Sequence, residues 1–280
     1  MPQPFHVFAP AKLNLFLHVT GKRADGYHAL QSLMVFADIG DDLFFAEQDG
    51  FTVESAGPFA MALPETGDNL VAKAAQLLAE EYRVPLCGKI TLEKNLPVAS
   101  GIGGGSADAA AALRGLARLW NLPEDQPRLQ KLGFRLGADV PACLASRAAF
   151  ADGAGEILTQ AENMPALHLV LANPLVPAPT AAVFKKFRGG FSTPLSVPQK
   201  ITAAFLASCR NDLTEAALSV VPEVGGVLKA VGGTESCLFS RMSGSGATCF
   251  GLYENAMAAR TAAQKLAAAY PAWWVRAAQA

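Results

Sequence analysis

The feature that most constrains this chain is a glycine-rich turn placed directly before an alanine-rich segment, NLPVASGIGGGSADAAAAL at residues 95–113. The glycines keep side chains out of the turn and allow backbone angles that other residues avoid. The alanines predict a helix that begins near Ser106. A helix N-terminus carries unpaired N–H groups and the positive end of the helix dipole. The segment therefore suits an anion held by the main chain, most simply a phosphate.

Taken alone, this turn matches neither common nucleotide fingerprint. A dinucleotide site needs glycine where Ser106 stands, and a Walker loop needs a Gly-Lys-Ser/Thr sequence that is absent here. On the residues alone, phosphate binding and a merely tight strand-to-helix turn are equal alternatives.

The rest of the chain alternates strand and helix patterns. Leucine and valine alternate with Asn14, Phe16 and His18 over residues 13–19, which predicts a strand with one buried face. Lys12 is predicted at the start of this strand, on the opposite face together with Asn14. Asp68 is predicted to cap a helix with apolar positions at helical spacing, and Gly137 to end another in the left-handed conformation. Further helices are predicted at 106–120, 128–136, 181–187, 201–208, 224–230 and 256–269, and strands at 43–45, 89–92, 167–171, 237–241 and 248–252.

Length and composition limit the classes of protein. The 280 residues are 51% hydrophobic, enough for one large or two ordinary domains, with a boundary predicted near residue 160. A net charge of -1 without a basic block argues against nucleic acid as a partner. The five cysteines are scattered, as in a reducing compartment. No signal peptide is evident, and prolines interrupt the uncharged span 163–184, so we expect a cytoplasmic protein without a membrane partner.

Several candidate residues also have ordinary structural explanations. The small-residue turn in MSGSGATCFGLY, at residues 242–253, is interpreted either as a hairpin or bulge, or as a second wall of a phosphate pocket. Lys12 is expected to reach solvent unless it has a partner. Asp139 is expected to cap the following turn. Tyr27 and His28 are expected to be solvated in a loop, although loops also carry binding groups.

Three motifs resemble, in order and spacing, the signature motifs of the GHMP small-molecule kinases. They are PAKLNLFLHVTGKRADGYH, PVASGIGGGSADAA and SGSGATCF. Within that superfamily, PAKLNLFL followed by G-x-R-x-D-G-Y-H resembles the members that phosphorylate 4-diphosphocytidyl-2-C-methyl-D-erythritol. The resemblance extends through GDNL at 67–70, LGADVP at 136–141 and PTAAVF at 179–184.

The resemblance implies an α+β protein with the two-domain GHMP kinase fold and an active site in the interdomain cleft. Residues 1–160 would form the ATP-binding domain and residues 161–280 the C-terminal domain. The implied reaction moves the γ-phosphate of ATP to the 2-hydroxyl of the cytidine diphosphate-linked methylerythritol, in non-mevalonate isoprenoid biosynthesis. The implied partners are small molecules only, and the oligomeric state is left open between monomer and homodimer.

Matching positions carry the implied roles. Asp139 would be the catalytic base and Lys12 its charged neighbour. Asn14, Tyr27 and His28 would hold the substrate, and Phe184 would stack on its cytosine. The implied ATP-binding residues are Asn69, Pro97, Val98, Ala99, Ser100, Gly101, Ile102, Gly103, Gly104, Gly105, Ser106 and Ala107.

Mg²⁺ would accompany the nucleotide phosphates, but the sequence assigns it no ligand. Glycines stand where many GHMP kinases have serines, so hydroxyls that can bind Mg²⁺ are missing. Asp108 is expected in the first turn of the helix. Three roles are open for it: a partner of the helix dipole, a water-mediated Mg²⁺ contact or a solvent-facing residue.

Two other functions are compatible with the sequence. One is another GHMP kinase, acting on homoserine, mevalonate or a sugar, and the other is a non-catalytic small-molecule binder on the same scaffold.

Overall fold

The computed structural model describes residues 3–24, 26–63, 69–123, 125–198 and 200–280. The chain divides into two compact units. The first unit comprises Met1–Ala11, Gly40–Val98 and Gly103–Ser146, and the second comprises Lys12–Ile39, Ala99–Ile102 and Arg147–Ala280. Two long strands, β1 (Phe5–Lys22) and β2 (His28–Ala46), contribute residues to both units.

The first unit combines strands with a group of helices. β3 (Phe51–Ala56) runs parallel to β4 (Gly88–Glu93), and β4 pairs antiparallel with the last residues of β2. A 3-10 turn at Ala60–Ala62 follows β3. The helices are α1 (Leu70–Tyr82), α2 (Gly104–Leu119), α3 (Gln126–Leu136) and α4 (Val140–Ala145). The small alanines of α2 allow close packing, and residues 107–113 are all buried.

The second unit contains a four-stranded antiparallel sheet. Its strands, in spatial order, are β10 (Trp274–Gln279), β7 (His168–Asn173), β9 (Cys249–Tyr253) and β8 (Cys237–Met242). β5 (Ala149–Gly153) pairs with the first residues of β2 and with β6 (Ile157–Gln160). The helices are α5 (Thr180–Lys186), α6 (Ala203–Ser208), α7 (Thr214–Leu218), α8 (Glu223–Gly232) and α9 (Ala256–Ala269).

The expected α+β class is confirmed, and so are the main helices and strands read from periodicity. Two local predictions are wrong. Residues 11–19 of β1 are all buried, so both faces of this strand are covered rather than one. Gly137 ends α3 in an extended conformation, with φ 167° and ψ 152°, not in the left-handed region.

The strands β3, β5, β6 and β10 and the short helices α4 and α7 were not predicted from the sequence. The predicted cap Asp68 lies outside the described residues. In the described part of the chain, no helix combines the length and the apolar character needed to span a membrane.

Candidate active site

Four consecutive carbonyl groups of the glycine-rich turn are fixed by hydrogen bonds within the second unit. The oxygens of Ala99, Ser100, Gly101 and Ile102 accept from the N–H of Ala178 (3.4 Å), the N–H of Thr248 (3.0 Å), the Oγ of Ser243 (3.0 Å) and the N–H of Lys12 (2.9 Å), respectively. In a trans peptide, the C=O of one residue and the N–H of the next point in opposite directions. The N–H groups of residues 100–103 therefore point away from these partners, as an anion site requires.

The second small-residue turn is the hairpin between β8 and β9, as one of its two readings predicted. Ser243 donates its N–H to the carbonyl of Thr248 (2.9 Å), and Gly244 and Gly246 have φ values of 55° and 86°. The Ser243 hydroxyl also accepts the N–H of Asn14 (3.1 Å) while donating to the Gly101 carbonyl. This turn therefore connects the glycine-rich turn to β1.

Lys12 lies inside β1, not at its start, and only 4% of it is exposed. Its Nζ donates to Oδ1 of Asn14 (2.9 Å), and Nδ2 of Asn14 donates to Oγ of Ser32 (2.7 Å). The expectation that Lys12 reaches solvent is wrong, because β1 is covered on both faces. The expectation that Lys12 and Asn14 share one face is confirmed by their contact.

An aromatic group in the second unit contains two of the predicted substrate residues. The rings of His28 and Phe184 stack with centroids 5.3 Å apart, and Phe187 meets His28 edge-on at 5.6 Å. Burial, and then the charge of Lys22, lower the pKa of His28, so its ring is neutral at pH 7 and carries one donor and one acceptor. His28 is thus partly buried against two aromatic rings, whereas Tyr27 is 68% exposed. Asp25, from the same motif, lies outside the described residues.

In the first unit, the predicted nucleotide residues lie at the starts of two helices. Gly103, with φ 65°, precedes α2, which begins at Gly104, two residues earlier than predicted. Asn69 caps α1 by accepting the N–H of Val71 (2.9 Å) on its side-chain oxygen. Its proposed proximity to adenine remains a prediction.

Asp139 occupies the N-cap position of α4, with φ −83° and ψ −16°. Among the described residues, its side chain makes no capping hydrogen bond, so the capping interpretation is wrong. An N-cap carboxylate usually accepts from the N–H two or three residues ahead, with its own backbone extended, whereas Asp139 has a helical backbone. Its role as catalytic base remains a prediction.

Asp108 is neither solvent-facing nor in the first turn of α2. Only 2% of it is exposed, and its Oδ2 accepts from Nζ of Lys94 at 2.7 Å. Burial raises the pKa of Asp108 to about 7, although the nearby Lys94 acts in the opposite direction. Across the described ranges, no group of three or more His, Cys, Asp or Glu side chains is arranged to hold a metal ion.

Four polar residues near these segments were not identified from the sequence: Ser32, Asp41, Lys94 and Asn211. Asn211 donates from Nδ2 to the carbonyls of Met242 and Gly244, both at 2.8 Å, and so fixes the hairpin turn. No local pattern distinguishes these residues, because Ser32 and Asp41 lie within β2 and the partners of Lys94 and Asn211 are distant in the chain.

Known proteins resemble this chain in sequence and in fold. The models of the GHMP kinases N terminal domain and GHMP kinases C terminal match residues 69–147 and 200–272. A 4-diphosphocytidyl-2-C-methyl-D-erythritol kinase of Paramagnetospirillum magneticum is 52% identical over 98% of each chain. A crystal structure of 4-(cytidine 5'-diphospho)-2C-methyl-D-erythritol kinase has a TM-score of 0.81 at 33% identity, covering 99% of this chain and 100% of the other.

A homoserine kinase from Cytophaga hutchinsonii shares the fold, with a TM-score of 0.69 over 99% of this chain and 95% of the other, but only 19% identity. This likeness shows common architecture alone. The near-full-length identity to the cytidyl kinases is much higher. The chain therefore belongs to the 4-diphosphocytidyl-2-C-methyl-D-erythritol kinases, within the GHMP kinases.

Proposed function

We propose that this protein transfers the γ-phosphate of ATP to the 2-hydroxyl of 4-diphosphocytidyl-2-C-methyl-D-erythritol, giving the 2-phosphate and ADP. Membership of the family supports the reaction and its place in non-mevalonate isoprenoid biosynthesis. The observation that carries the proposal is the set of four bound carbonyls at Ala99–Ile102, because it turns the intervening N–H groups away from the protein partners.

We assign ATP binding to Asn69 and residues 97–107. Oriented N–H groups followed by a helix N-terminus bind phosphate oxygens without a P-loop lysine. The left-handed backbone at Gly101 and Gly103, with φ values of 76° and 65°, makes this main-chain arrangement accessible.

The protein side chains are assigned two roles in the transfer step, proton acceptance and charge neutralisation. The substrate 2-hydroxyl oxygen forms a bond to the γ-phosphorus as the bond from that phosphorus to the ADP oxygen breaks, and the hydroxyl proton passes to Asp139. Lys12 offsets negative charge that develops during transfer. Burial of Lys12 at 4% exposure supports this role, because charge interactions are stronger away from water.

Substrate recognition is assigned to Asn14, Tyr27, His28 and Phe184. The stacked rings of His28 and Phe184, 5.3 Å apart, support an aromatic site to which a flat base can add. The neutral imidazole of His28 can donate one hydrogen bond and accept another, which matches the mixed donors and acceptors of a cytosine edge.

Mg²⁺ is expected to enter with ATP and to neutralise phosphate charge. It commonly keeps water ligands and phosphate oxygens, so it needs few protein ligands, and we assign none. Domains at 1–160 and 161–280, a cytoplasmic location and small molecules as the only partners remain part of the proposal.

The direct test mixes the purified protein with Mg-ATP and the cytidyl substrate and follows ADP release. Mevalonate, homoserine and galactose serve as control acceptors. We expect release with the cytidyl substrate alone. Release with one of the controls but not with the cytidyl compound would overturn the assignment.

The role of Asp139 is tested with Asp139→Asn. Loss of the base should reduce kcat by roughly 1,000-fold, since positioned acid–base groups contribute on that scale. ATP affinity should stay within about twofold. Asp125→Asn is the matched control, because Asp125 caps α3 through the N–H of Arg128 and asparagine caps equally well. Full turnover in Asp139→Asn would exclude it as the base.

A further inference from the structure

A buried charged cluster lies at the end of β4 in the first unit, outside the residues assigned above. Nζ of Lys94 donates to Oδ2 of Asp41 (2.5 Å) and to Oδ2 of Asp108 (2.7 Å). Asp41 is 0% exposed, Lys94 1% and Asp108 2%. We call these three residues the Lys94 cluster.

Stability alone is a poor explanation for the Lys94 cluster. Taking a charge out of water is energetically unfavourable, and well-packed apolar side chains often replace buried ion pairs without loss of stability. The cluster carries one ammonium and two carboxyl groups, and Oδ1 of Asp108 has no hydrogen-bond partner in the described parts of the chain. Its composition therefore indicates a task other than packing.

The Lys94 cluster hydrogen-bonds to the start of one chain segment and lies close to the end of the same segment. At the start, Oδ1 of Asp41 accepts the N–H groups of Asn95 (2.6 Å) and Leu96 (2.8 Å). At the end, Nζ of Lys94 lies 3.0 Å from the point where a Cβ on Gly104 would stand. The segment 95–104 therefore begins and ends next to the cluster. Asp108 also connects α2 to the Lys94 ammonium.

We propose that Asp41, Lys94 and Asp108 are positioning residues that set the glycine-rich segment for the nucleotide triphosphate. This inference rests on the proposed function, because it concerns the segment assigned there to ATP. The cluster binds the main chain at the start of that segment and lies beside its end at Gly104. Preorganised donors bind an anion better than donors that must be ordered on binding.

Lys94→Met tests the proposal, because it keeps the length of the side chain and removes the ammonium. We expect KM for ATP, and Kd for Mg-ATP measured by titration calorimetry, to rise at least tenfold, while KM for the cytidyl substrate changes less than twofold. Trp120→Phe is the matched control, because it removes a hydrogen bond (Nε1 to the Cys87 carbonyl, 2.9 Å) at the opposite end of α2. It should lower Tm without changing either KM.

If Lys94→Met does not fold, Asp41→Asn gives the decisive measurement. The Lys94–Asp108 pair remains, but the remaining oxygen cannot serve both Lys94 and the N–H groups of Asn95 and Leu96. We expect a three- to tenfold rise in Kd for Mg-ATP. A folded variant with unchanged Kd for Mg-ATP overturns the inference, as does an equal rise for both substrates.

The two proposals fail in different ways. If the wild-type protein transfers phosphate and the cluster variants bind Mg-ATP normally, the proposed function stands and this inference is wrong. If the wild-type protein does not phosphorylate the cytidyl substrate, the proposed function is wrong. Weaker Mg-ATP binding by the cluster variants would still support the positioning role of the cluster.

Discussion

The glycine-rich turn at residues 99–102 and the hairpin turn at residues 243–248 have similar small residues but use their polar groups differently. The first turn gives its carbonyls to protein partners, which leaves its N–H groups directed elsewhere. The second turn uses the Ser243 hydroxyl, and its own main chain, to hold the first turn and β1. Composition alone therefore does not separate a proposed ligand site from the structure that supports it.

The interlocking of the two turns is tested most severely by Gly101→Ala. A Cβ there would lie 2.5 Å from the Ser243 carbonyl oxygen and 2.7 Å from that of Gly246, at a φ of +76°. Strain and forced backbone movement together should destabilise the protein by roughly 3 kcal/mol. Displacement of the turn should raise Kd for Mg-ATP at least 100-fold. Urea unfolding and calorimetric titration measure both effects.

Gly50→Ala is the control that separates backbone strain from steric collision of the added Cβ. Gly50 has a similar φ of +74°, but no atom lies within 4 Å of its added Cβ. It should cost only about 1 kcal/mol and leave ATP binding unchanged. Equal effects of the two substitutions would mean that the contact with the hairpin turn is unimportant.

A smaller effect is expected from Ser243→Ala. The hydroxyl that bridges Asn14 and Gly101 is lost, and the buried partners left unsatisfied should cost about 2 kcal/mol. KM for ATP should rise about tenfold by displacement of the Gly101 carbonyl. Ser245→Ala is the comparison, because it removes a hydroxyl of the same hairpin turn, one that hydrogen-bonds with Thr180 Oγ1 (2.9 Å). A similar rise in KM for both serine variants would contradict the supporting role of Ser243.

The smallest effect concerns the helix that follows the first turn. The pKa of Asp108 is raised to about 7 in the folded protein, so folding favours its protonated form. Stability from this group is fully present below the ordinary carboxyl pKa of about 4 and is lost as the pH rises from there through the folded value, with about 1 kcal/mol of that loss falling between pH 6 and pH 8. Asp108→Asn should remove this part of the pH dependence in urea unfolding. An unchanged slope would contradict the raised pKa.

Much of the fold was predictable because its signals are local. The spacing of Val71, Ala74, Ala75 and Leu78 predicted α1, and all four are buried. The alternation of side chains along a strand placed Lys12 and Asn14 on one face, and the structure shows their contact. The burial of Lys12 was not predictable, because it depends on what covers the second face of β1.

The candidate site divides in the same way. The motifs identified the glycine-rich turn, whereas Lys94, Asp41 and Asn211 were missed because their partners are distant in the chain. Nζ of Lys94 and Oδ2 of Asp41, for example, meet across 53 positions. No periodicity within one segment reports such a pair.

The sequence by itself determined where the glycines permit left-handed backbone, where alanines continue as a helix and which family the motifs resemble. These properties depend on residues a few positions apart, whose steric preferences act locally. Only the tertiary structure decided that Ser243 bridges Asn14 and Gly101, and that Asp108 shares a buried ammonium with Asp41. Burial and hydrogen bonding between distant residues require the chain to be folded, because they arise from packing rather than from local backbone preference.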